Sequence, residues 1–304
     1  MLAELWNACL AGPRTLTIPP RANVLLEHFL LSKPYFDPAG LTFALDDDRP
    51  VGLALAGFAP NANGSDLDRS RGVLCLLGVV PDSRGKGIGS ELLRRSEDYL
   101  RQHGARELLA GPVPPNNPFL FGLYGGANTP GFLDSSPLRA FLEKRGYQAN
   151  CEIGIFQRNL DRVSNPPDPR FNDLRQNYDI VYSPCTPVSW YSEAVLGPFE
   201  SIEFRLQHKQ TRKCPARCVL WEMDLFRFSW QRACVGMLHL EVDPDSRRQG
   251  MSRFLLSQLL LYLQRQSLNV LEAQLPLDNT AGLNLLRGLG FEQVDLGRGF
   301  RRFV

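Results

Sequence analysis

The sequence has no long apolar segment and no marked excess of one charge. No apolar run approaches the ~20 residues that a helix needs to cross a bilayer, so we expect no transmembrane helix and no membrane partner. The 34 Lys and Arg residues are nearly balanced by 32 Asp and Glu residues, which argues against nucleic acid as a partner. The opening MLAELWNACLAG carries Glu4 and no basic region, which is untypical of a secretory signal peptide.

Cysteines are few, scattered and odd in number. Seven occur among 304 residues, which is typical of a reducing compartment, so we expect a cytoplasmic protein. Cys214 and Cys218, with His208 nearby, come nearest to a zinc ligand set. Pro215 lies between these cysteines and no second Cys or His pair follows at ligand spacing, so we predict no metal site.

A nine-residue phrase occurs twice in the chain. PDSRGKGIG begins at Pro81 and PDSRRQGMS begins at Pro244, and the same offset keeps about 35 positions in register without a gap. A chance match of four letters would not keep later positions aligned, so we infer a duplicated domain. The identical pairs include Val79/Val242, Arg84/Arg247, Gly87/Gly250, Leu92/Leu255, Tyr99/Tyr262, Leu108/Leu271 and Ala110/Ala273.

A polar, proline-rich segment separates the two copies. Residues 161–176, DRVSNPPDPRFNDLRQ, have neither helical nor strand periodicity and read as a linker. At 43% hydrophobic residues, the chain can bury a core on each side of it. We therefore predict an N-terminal domain at 1–160, a linker at 161–176 and a C-terminal domain at 177–304.

The repeated phrase lies between a strand and a helix. The apolar run 73–80 predicts a buried strand, the periodicity of 90–103 predicts a helix that Gly104 closes, and ELLAGPV predicts a second strand. Glycines 85, 87 and 89 leave backbone N–H groups open at the start of the helix, and Arg84 and Lys86 add positive charge. Such a junction binds phosphate or pyrophosphate. The spacing matches neither the nucleotide-kinase loop nor the dinucleotide fingerprint.

The first copy resembles the coenzyme A loop of the GNAT acetyltransferase superfamily, V-x-P-x-x-[RQ]-x-x-G-x-[GA]. Val79, Pro81, Arg84, Gly87 and Gly89 occupy every named position. The resemblance implies an α/β fold (α+β mixed sheet) of two tandem GNAT-like domains. Each would have a central, mostly antiparallel mixed sheet flanked by helices.

In that family the loop binds the pyrophosphate of acetyl-CoA, the co-substrate, and the strand before it separates from its neighbour to admit the pantetheine arm. The first-copy residues that the resemblance assigns to acetyl-CoA are Val79, Val80, Arg84, Gly85, Lys86, Gly87, Ile88, Gly89, Ser90 and Asn117. The second-copy candidates are Val242, Arg247, Arg248, Gln249, Gly250, Met251, Ser252 and Asn279.

The second copy of the loop has lost two glycines. Arg248 stands where the first copy has Gly85, and Ser252 stands where it has Gly89. Glycine permits the positive φ angles and close approaches that such loops use. We therefore expect the first copy to bind acetyl-CoA better, and the second to be scaffold, substrate wall or a residual binding site.

The resemblance also suggests a general acid. In the family a Tyr in a pattern similar to N-x-x-A-x-x-L-Y protonates the departing thiolate. NPFLFGLY, from Asn117, places Tyr124 at that position, although Leu120 replaces the usual Ala. The alternative is an aromatic side chain that packs beside the Gly-Gly turn. In the second copy the corresponding residue is Leu286, which cannot donate a proton.

The first copy also carries an insertion. Arg84 is 63 residues from Tyr147, whereas Arg247 is 44 residues from Phe291, so the first copy has 19 extra residues, near 125–137. This segment is either a substrate loop or a tolerated surface excursion.

The sequence offers several candidates for the general base and selects none of them. The strand before the first loop offers only Cys75, and Asp134 in the insertion is another option. In the second copy His239 and Glu241 share the polar face of a strand, with Glu241 a possible base; both are otherwise solvated or structural residues.

The resulting prediction is an acetyl-CoA-dependent N-acetyltransferase with its active site in residues 73–160. The acceptor would be a small amine, an amino sugar or a peptide N-terminus, and the protein a monomer or homodimer. One alternative is a non-catalytic acyl-CoA-binding regulatory protein. Another is catalysis in the C-terminal domain, as in the mycothiol synthase family, which this tandem organisation resembles.

Overall fold

A computed structural model describes most of the chain: residues 2–10, 12, 15–19, 23–111, 131–134, 137–164, 167–197 and 199–304. The helices are α1 (Leu2–Leu10), α2 (Asn23–Leu26, continued as a π-helix over Glu27–Leu31), α3 (Ile88–Gln102), α4 (Leu138–Glu143), α5 (Arg170–Asn177), α6 (Trp190–Leu196), α7 (Leu225–Trp230), α8 (Met251–Arg265) and α9 (Thr280–Gly288).

The strands are interspersed with these helices along both halves of the chain. They are β1 (Leu41–Asp46), β2 (Arg49–Pro60), β3 (Leu67–Val79), β4 (Glu107–Ala110), β5 (Phe132–Leu133), β6 (Gln148–Asn159), β7 (Tyr178–Pro184), β8 (Ser201–His208), β9 (Ala216–Glu222), β10 (Cys234–Val242), β11 (Val270–Pro276) and β12 (Glu292–Phe303).

The chain forms two compact units that do not follow chain order. Unit 1 contains Met1–Glu152, Pro187–Pro198 and Gly297–Val304, and unit 2 contains Ile153–Thr186 and Phe199–Leu296. Unit 1 therefore includes α6 and the last strand residues of the chain, and unit 2 includes the second part of β6. The limits 1–160, 161–176 and 177–304 remain a prediction about sequence domains.

The sheet of unit 1 has the order β1-β2-β3-β4-β12, with β5 also paired to β12. Only β3 and β4 run parallel; the other pairs are antiparallel. Helix α3 connects the two parallel strands and buries Leu92, Leu93, Tyr99 and Leu100 on one face. This is the crossover that parallel strands require.

The sheet of unit 2 has the order β6-β11-β10-β9-β8-β7. Again one pair, β10 and β11, is parallel, and the others are antiparallel. Helix α8 connects the parallel strands, and its Leu255, Leu259 and Leu263 enter a core shared with Leu271 and Ala273 of β11. The expected α/β fold, with mostly antiparallel mixed sheets flanked by helices, is confirmed.

Strand β3 begins earlier than the strand predicted from the apolar run 73–80. It starts at Leu67 rather than at residue 73, because the polar segment Leu67–Gly72 pairs with the outer end of β2. A polar stretch can form a strand when a neighbouring strand supplies its hydrogen bonds. None of the helices in the described ranges is long and apolar enough to cross a membrane.

Candidate functional site

The repeated phrase forms a loop between the end of β3 and the start of α3. Pro81–Ser83 make one 3-10 turn, and Arg84 then returns to extended backbone. Gly85 and Gly87 follow with φ angles of 78° and 85°, a region that glycine enters without steric cost. Gly87 is also the N-cap of α3. The glycines expected from sequence therefore have a defined backbone role.

Arg84 holds the loop against the sheet. Its Nε donates to the carbonyl oxygen of Val79 at 2.9 Å, and its Nη2 donates to the carbonyl oxygen of Cys9 in α1 at 3.4 Å. The guanidinium thus fixes the end of β3 and leaves its positive charge beside the loop. Arg84 acts here as a clamp on the backbone.

The loop has room for an anion. Among the described residues, a Cβ built on Gly85 or Gly87 would meet no atom within 4 Å, and Lys86 between them is exposed. In the described part of the chain, no backbone acceptor is bonded to the N–H groups from Gly85 to Gly89. Open N–H groups at the positive end of a helix fit a pyrophosphate.

Within the described residues, strands β3 and β4 pair over four positions, Arg71 to Leu74 with Glu107 to Ala110. Beyond Leu74, strand β3 continues along β2 to Val79. At the same point the register with β2 shifts, since Leu55 faces Leu76 and Ala56 faces Leu74. Cys75 is therefore a bulge residue. The bulge and the end of pairing coincide, five residues before the loop.

Unit 2 repeats this arrangement at positions offset by 163. Strands β10 and β11 pair from Cys234/Val270 to Met237/Ala273. Beyond these residues they no longer pair with each other, and β10 continues along β9 to Val242 while β11 continues along β6 to Pro276. Leu238, the counterpart of Cys75, is the extra residue opposite β9. A gap between two diverging strands is therefore preserved in the second copy.

The second loop keeps the backbone path despite its lost glycines. Arg248 has a φ of 66° and Gly250 a φ of 84°, close to Gly85 and Gly87. Arg247 again donates from Nε to the carbonyl oxygen of the last strand residue, Val242, at 3.2 Å. The degradation expected of the second loop therefore affects its side chains rather than its backbone path.

Another guanidinium lies against the second loop. A Cβ built on Gly250 would be 3.1 Å from Nε and Cζ of Arg170, whereas Gly87 is open. Asp168 holds Arg170 by hydrogen bonds of 2.9 and 2.6 Å, and this arginine lowers the pKa of Asp168 to about 2. The mouth of the second loop is therefore narrower and already contains an ion pair.

Glu241 and His239 lie on the same face of β10, as the alternation indicated. Arg217 of β9 donates to Glu241 at 2.9 and 2.7 Å and holds the pKa of this exposed carboxyl below its usual value. Desolvation, then Arg217, lower the pKa of His239, and Glu241 opposes them. A carboxylate stabilised in its charged form is a weaker base.

A buried carboxylate that the sequence analysis missed lies beside the gap in unit 2. Glu272 of β11 is fully buried and accepts hydrogen bonds from Gln157 at 2.8 Å and Gln274 at 3.4 Å. The corresponding residue of the first copy is Leu109. The only signal in the sequence was one acid within the apolar run VLEAQLP.

Several predicted site residues lie outside the described part of the chain. Tyr124 and Asn117 are among them, with most of the insertion 125–137. Asp134, within the described part, accepts a hydrogen bond from Arg298 at 2.9 Å. Asn279 caps α9, since its Oδ1 accepts from the N–H of Gly282 at 3.0 Å. The site assignments of these residues remain predictions.

Two further residues beside the first loop were missed. Phe141 and Arg145 come from α4 and the turn after it; the ring of Phe141 lies beside Gly89, and Arg145 donates to Ser90 Oγ. The signal was present in FLEKRGY, where Arg145 stands in place of Leu289 of the second copy.

Cys218 is buried, and among the described residues no group of three or more His, Cys, Asp or Glu side chains could hold a metal ion.

One protein-family profile matches part of the first half of the chain. The profile of the acetyltransferase (GNAT) family matches residues 6–124, which include the first loop and both parallel strands of unit 1. The tandem GNAT protein of the clavulanic acid biosynthesis pathway has a similar fold over 99% of this chain and 94% of its own, with a TM-score of 0.66 and 16% identity.

Two groups of curated proteins match shorter segments. The mycothiol acetyltransferase of Geodermatophilus obscurus is 35% identical over 78 residues, or 26% of this chain and 25% of its own length. The [ribosomal protein bS18]-alanine N-acetyltransferase of Escherichia coli is 31% identical over 64 residues, or 21% of this chain and 43% of its own length. The matched segments therefore span about a quarter of the length of the mycothiol acetyltransferase and under half of the length of the alanine N-acetyltransferase.

Proposed function

We propose that this chain is an acetyl-CoA-dependent N-acetyltransferase with its active site in unit 1, because residues 6–124 match the profile of the acetyltransferase (GNAT) family and the fold is similar to that of a tandem GNAT protein. The observation that carries the choice of unit is the open first loop. The loop from Gly85 to Gly89 is called here the phosphate seat. Gly85 and Gly87 leave this loop clear, whereas Arg170 lies against Gly250 in the second loop.

The residues of unit 1 fit the phosphate end of acetyl-CoA. The open N–H groups from Gly85 to Gly89 would receive the pyrophosphate, and Lys86 would add charge at the same place. The end of β3 beyond the Cys75 bulge would face the pantetheine arm, because β3 no longer pairs with β4 there. Acetyl-CoA supplies the activated acetyl group.

Direct transfer requires two proton movements. The amine nitrogen bonds to the thioester carbonyl carbon as the carbon–sulfur bond breaks; the amine loses a proton and the thiolate gains one. We propose Tyr124 as the donor to the thiolate. Glu241 is a poor partner for the amine proton, because Arg217 lowers its pKa, so water is the simpler proton acceptor.

The acceptor belongs to the class of primary amines. Support comes from the [ribosomal protein bS18]-alanine N-acetyltransferase, whose name gives N-acetylation of an alanine, and from the mycothiol acetyltransferase, whose name gives acetyl transfer. A peptide N-terminus, an amino sugar and a small amine therefore form the first panel of acceptors. Release of free thiol from acetyl-CoA in the presence of each acceptor would identify the class.

Catalysis in unit 2 is the second candidate. The observation in its favour is that polar side chains lie on the strands beside the gap of unit 2, namely Glu272, Gln157 and His239. In unit 1 the apolar Leu109 takes the place of Glu272. The second loop also keeps the positive φ angles of the first. A non-catalytic acyl-CoA-binding protein would bind the thioester and release no thiol with any amine.

A pair of matched substitutions tests the choice of unit. Gly87→Glu places a carboxylate in the proposed phosphate seat and a side chain at a φ of 85°, so acetyl-CoA affinity at unit 1 should fall at least a hundredfold. Gly250→Glu is the control at the equivalent position, with a φ of 84°. Calorimetric titration of both variants with acetyl-CoA, followed by thiol-release assays, gives the readout.

The two variants also separate the candidates. Loss of binding and turnover in Gly87→Glu alone supports unit 1. Loss in Gly250→Glu alone would transfer the proposal to unit 2. Binding without thiol release in the wild-type chain, against the whole acceptor panel, would favour the regulatory alternative.

A further inference from the structure

Arg145 lies at the turn after α4 and reaches the first turn of α3. Its Nη2 donates to Ser90 Oγ, and its Nη1 donates to the carbonyl oxygen of Phe141 at 3.0 Å. The guanidinium carbon lies 3.6 Å from the centre of the Phe141 ring. These contacts hold the guanidinium plane in one orientation, since an arginine stacked on an aromatic ring loses most of its rotational freedom.

The stacked pair lies immediately beside the first loop. A Cβ built on Gly89 would be 3.4 and 3.6 Å from the ring of Phe141, and 3.7 Å from Val79. Gly85 and Gly87 have no such neighbour. Arg145 therefore occupies the edge of the phosphate seat, next to its last glycine, and leaves the centre of the seat open.

The positive charge of Arg145 is not neutralised by the surrounding protein. Across the described ranges no carboxylate oxygen lies within 4.0 Å of its guanidinium nitrogens. All four arginines of α3 and α4 have acidic partners: Arg94, Arg95, Arg101 and Arg139. A half-buried, oriented guanidinium bonded only to neutral oxygens retains its attraction for an anion.

Unit 2 places a guanidinium at the same junction by a reciprocal route. Arg253 occupies the position of Ser90, in the first turn of α8, and its Nη1 donates to the carbonyl oxygen of Gly288, at the end of α9, at 3.5 Å. There the arginine extends from the first helix to the second; in unit 1 it extends from the second to the first. Two different sequence positions thus supply one charge at one place in the fold.

We propose that Arg145 binds the 3′-phosphate on the ribose of the CoA thioester and makes unit 1 selective for CoA over 3′-dephospho-CoA. The proposal rests on the function proposed above. The open N–H groups from Gly85 to Gly89 are assigned above to the pyrophosphate, so a separate cation at the edge of the seat fits the separate phosphate group. The planar fork of arginine matches phosphate oxygens.

The test compares two ligands on the full chain. Acetyl-CoA and acetyl-3′-dephospho-CoA are titrated by calorimetry in the Gly250→Glu background, so that unit 1 gives the signal. The parent should bind acetyl-CoA more tightly. Arg145→Ala should weaken acetyl-CoA about tenfold to a hundredfold, the range for a charge-assisted hydrogen bond, and change dephospho-CoA affinity less than threefold.

Three further variants serve as controls. Arg139→Ala removes an equal charge from α4, the helix before Arg145, where Arg139 pairs with Glu143 at 3.1 Å, and this variant should keep the preference for acetyl-CoA. Arg145→Lys should restore part of it, because the charge remains and the planar fork is lost. Arg145→Gln replaces Arg145→Ala if that variant does not fold, as judged by its melting curve.

Equal weakening of both ligands in Arg145→Ala would overturn the assignment to the 3′-phosphate, and an unchanged preference would reduce Arg145 to a structural residue. Neither result touches the proposed function, which requires only that acetyl-CoA binds. Failure of the parent and wild-type chains to bind acetyl-CoA at all would instead refute that function.

Discussion

At the scale of single residues, the second loop shows which features of the motif are needed for folding. Arg248 adopts a φ of 66°, although a left-handed conformation costs a non-glycine residue roughly 1–2 kcal/mol. The clamp from Arg247 to Val242 and the turn at Pro244–Ser246 impose this path. The loop geometry thus survives the loss of its glycine, and the cost is absorbed by the surrounding strand and helix.

This strain gives opposite expectations for two adjacent arginines. Arg248→Gly should raise the free energy of unfolding by about 0.5–1 kcal/mol, because relief of the left-handed strain exceeds the entropy cost of glycine. Arg247→Gly, at a φ of −68°, should lower it by about 1–2 kcal/mol, since it loses the clamp and adds chain entropy. Urea denaturation measures both. The same sign for both variants would contradict the strain at Arg248.

At the scale of elements, the strand–loop–helix–strand unit could be predicted because its signals are local. Apolar runs, helical periodicity and glycines at 85 and 87 each follow from neighbouring residues. The bulge at Cys75 could not be predicted, since it depends on the register with β2. Arg145 and Glu272 were missed for the same reason: their partners Ser90 and Gln157 are distant in sequence.

A contact between α6 and a lysine distant in sequence accompanies a shift in the pKa of that lysine. Within unit 1, Lys33 is buried and its Nζ donates to the carbonyl oxygen of Ala194, near the end of α6, at 2.7 Å. Tyr191 of α6 is buried against Tyr35, with ring centres 5.4 Å apart. Burial lowers the pKa of Lys33 to about 8. Protonation of the Lys33 amine is therefore less favourable in the folded chain than in the unfolded chain.

The pH dependence of stability follows from that shift. An unfolded lysine has a pKa of about 10.4, so between pH 8 and that value the unfolded chain binds more protons than the folded one. The contribution of Lys33 to stability should therefore rise with pH across this window and stay constant below it. Relative to Lys33→Met, the wild type should gain about 2 kcal/mol between pH 7 and 10.

Denaturation curves at several pH values give the comparison. A pH-independent difference between Lys33→Met and the wild type would mean that Lys33 keeps an ordinary pKa in the folded chain.

At the scale of the whole molecule, each unit is completed by a strand segment from the other half of the sequence. Residues 300–303 of β12 pair with β4, and residues 153–159 of β6 pair with β11. Arg302 fixes the first exchange, since its Nη2 donates at 2.6 Å to Glu97 of α3. Tyr147 donates to the same carboxyl at 3.1 Å. Composition and periodicity place a linker between two repeats; strand exchange depends on long-range pairing that neither one encodes.

The exchange predicts that a residue five positions from the end of the sequence stabilises the N-terminal unit. Phe300 is 1% exposed and pairs with Ala110 of β4, so Phe300→Ala should cost about 3–5 kcal/mol through lost burial and a cavity. Phe303→Ala, at 67% exposure, should change stability by less than about 0.5 kcal/mol. Hydrogen exchange locates the effect: amides of β3 and β4 should exchange faster in Phe300→Ala, and those of β8 and β9 should not. Faster exchange confined to unit 2 would show that the C-terminal segment stabilises its own half instead.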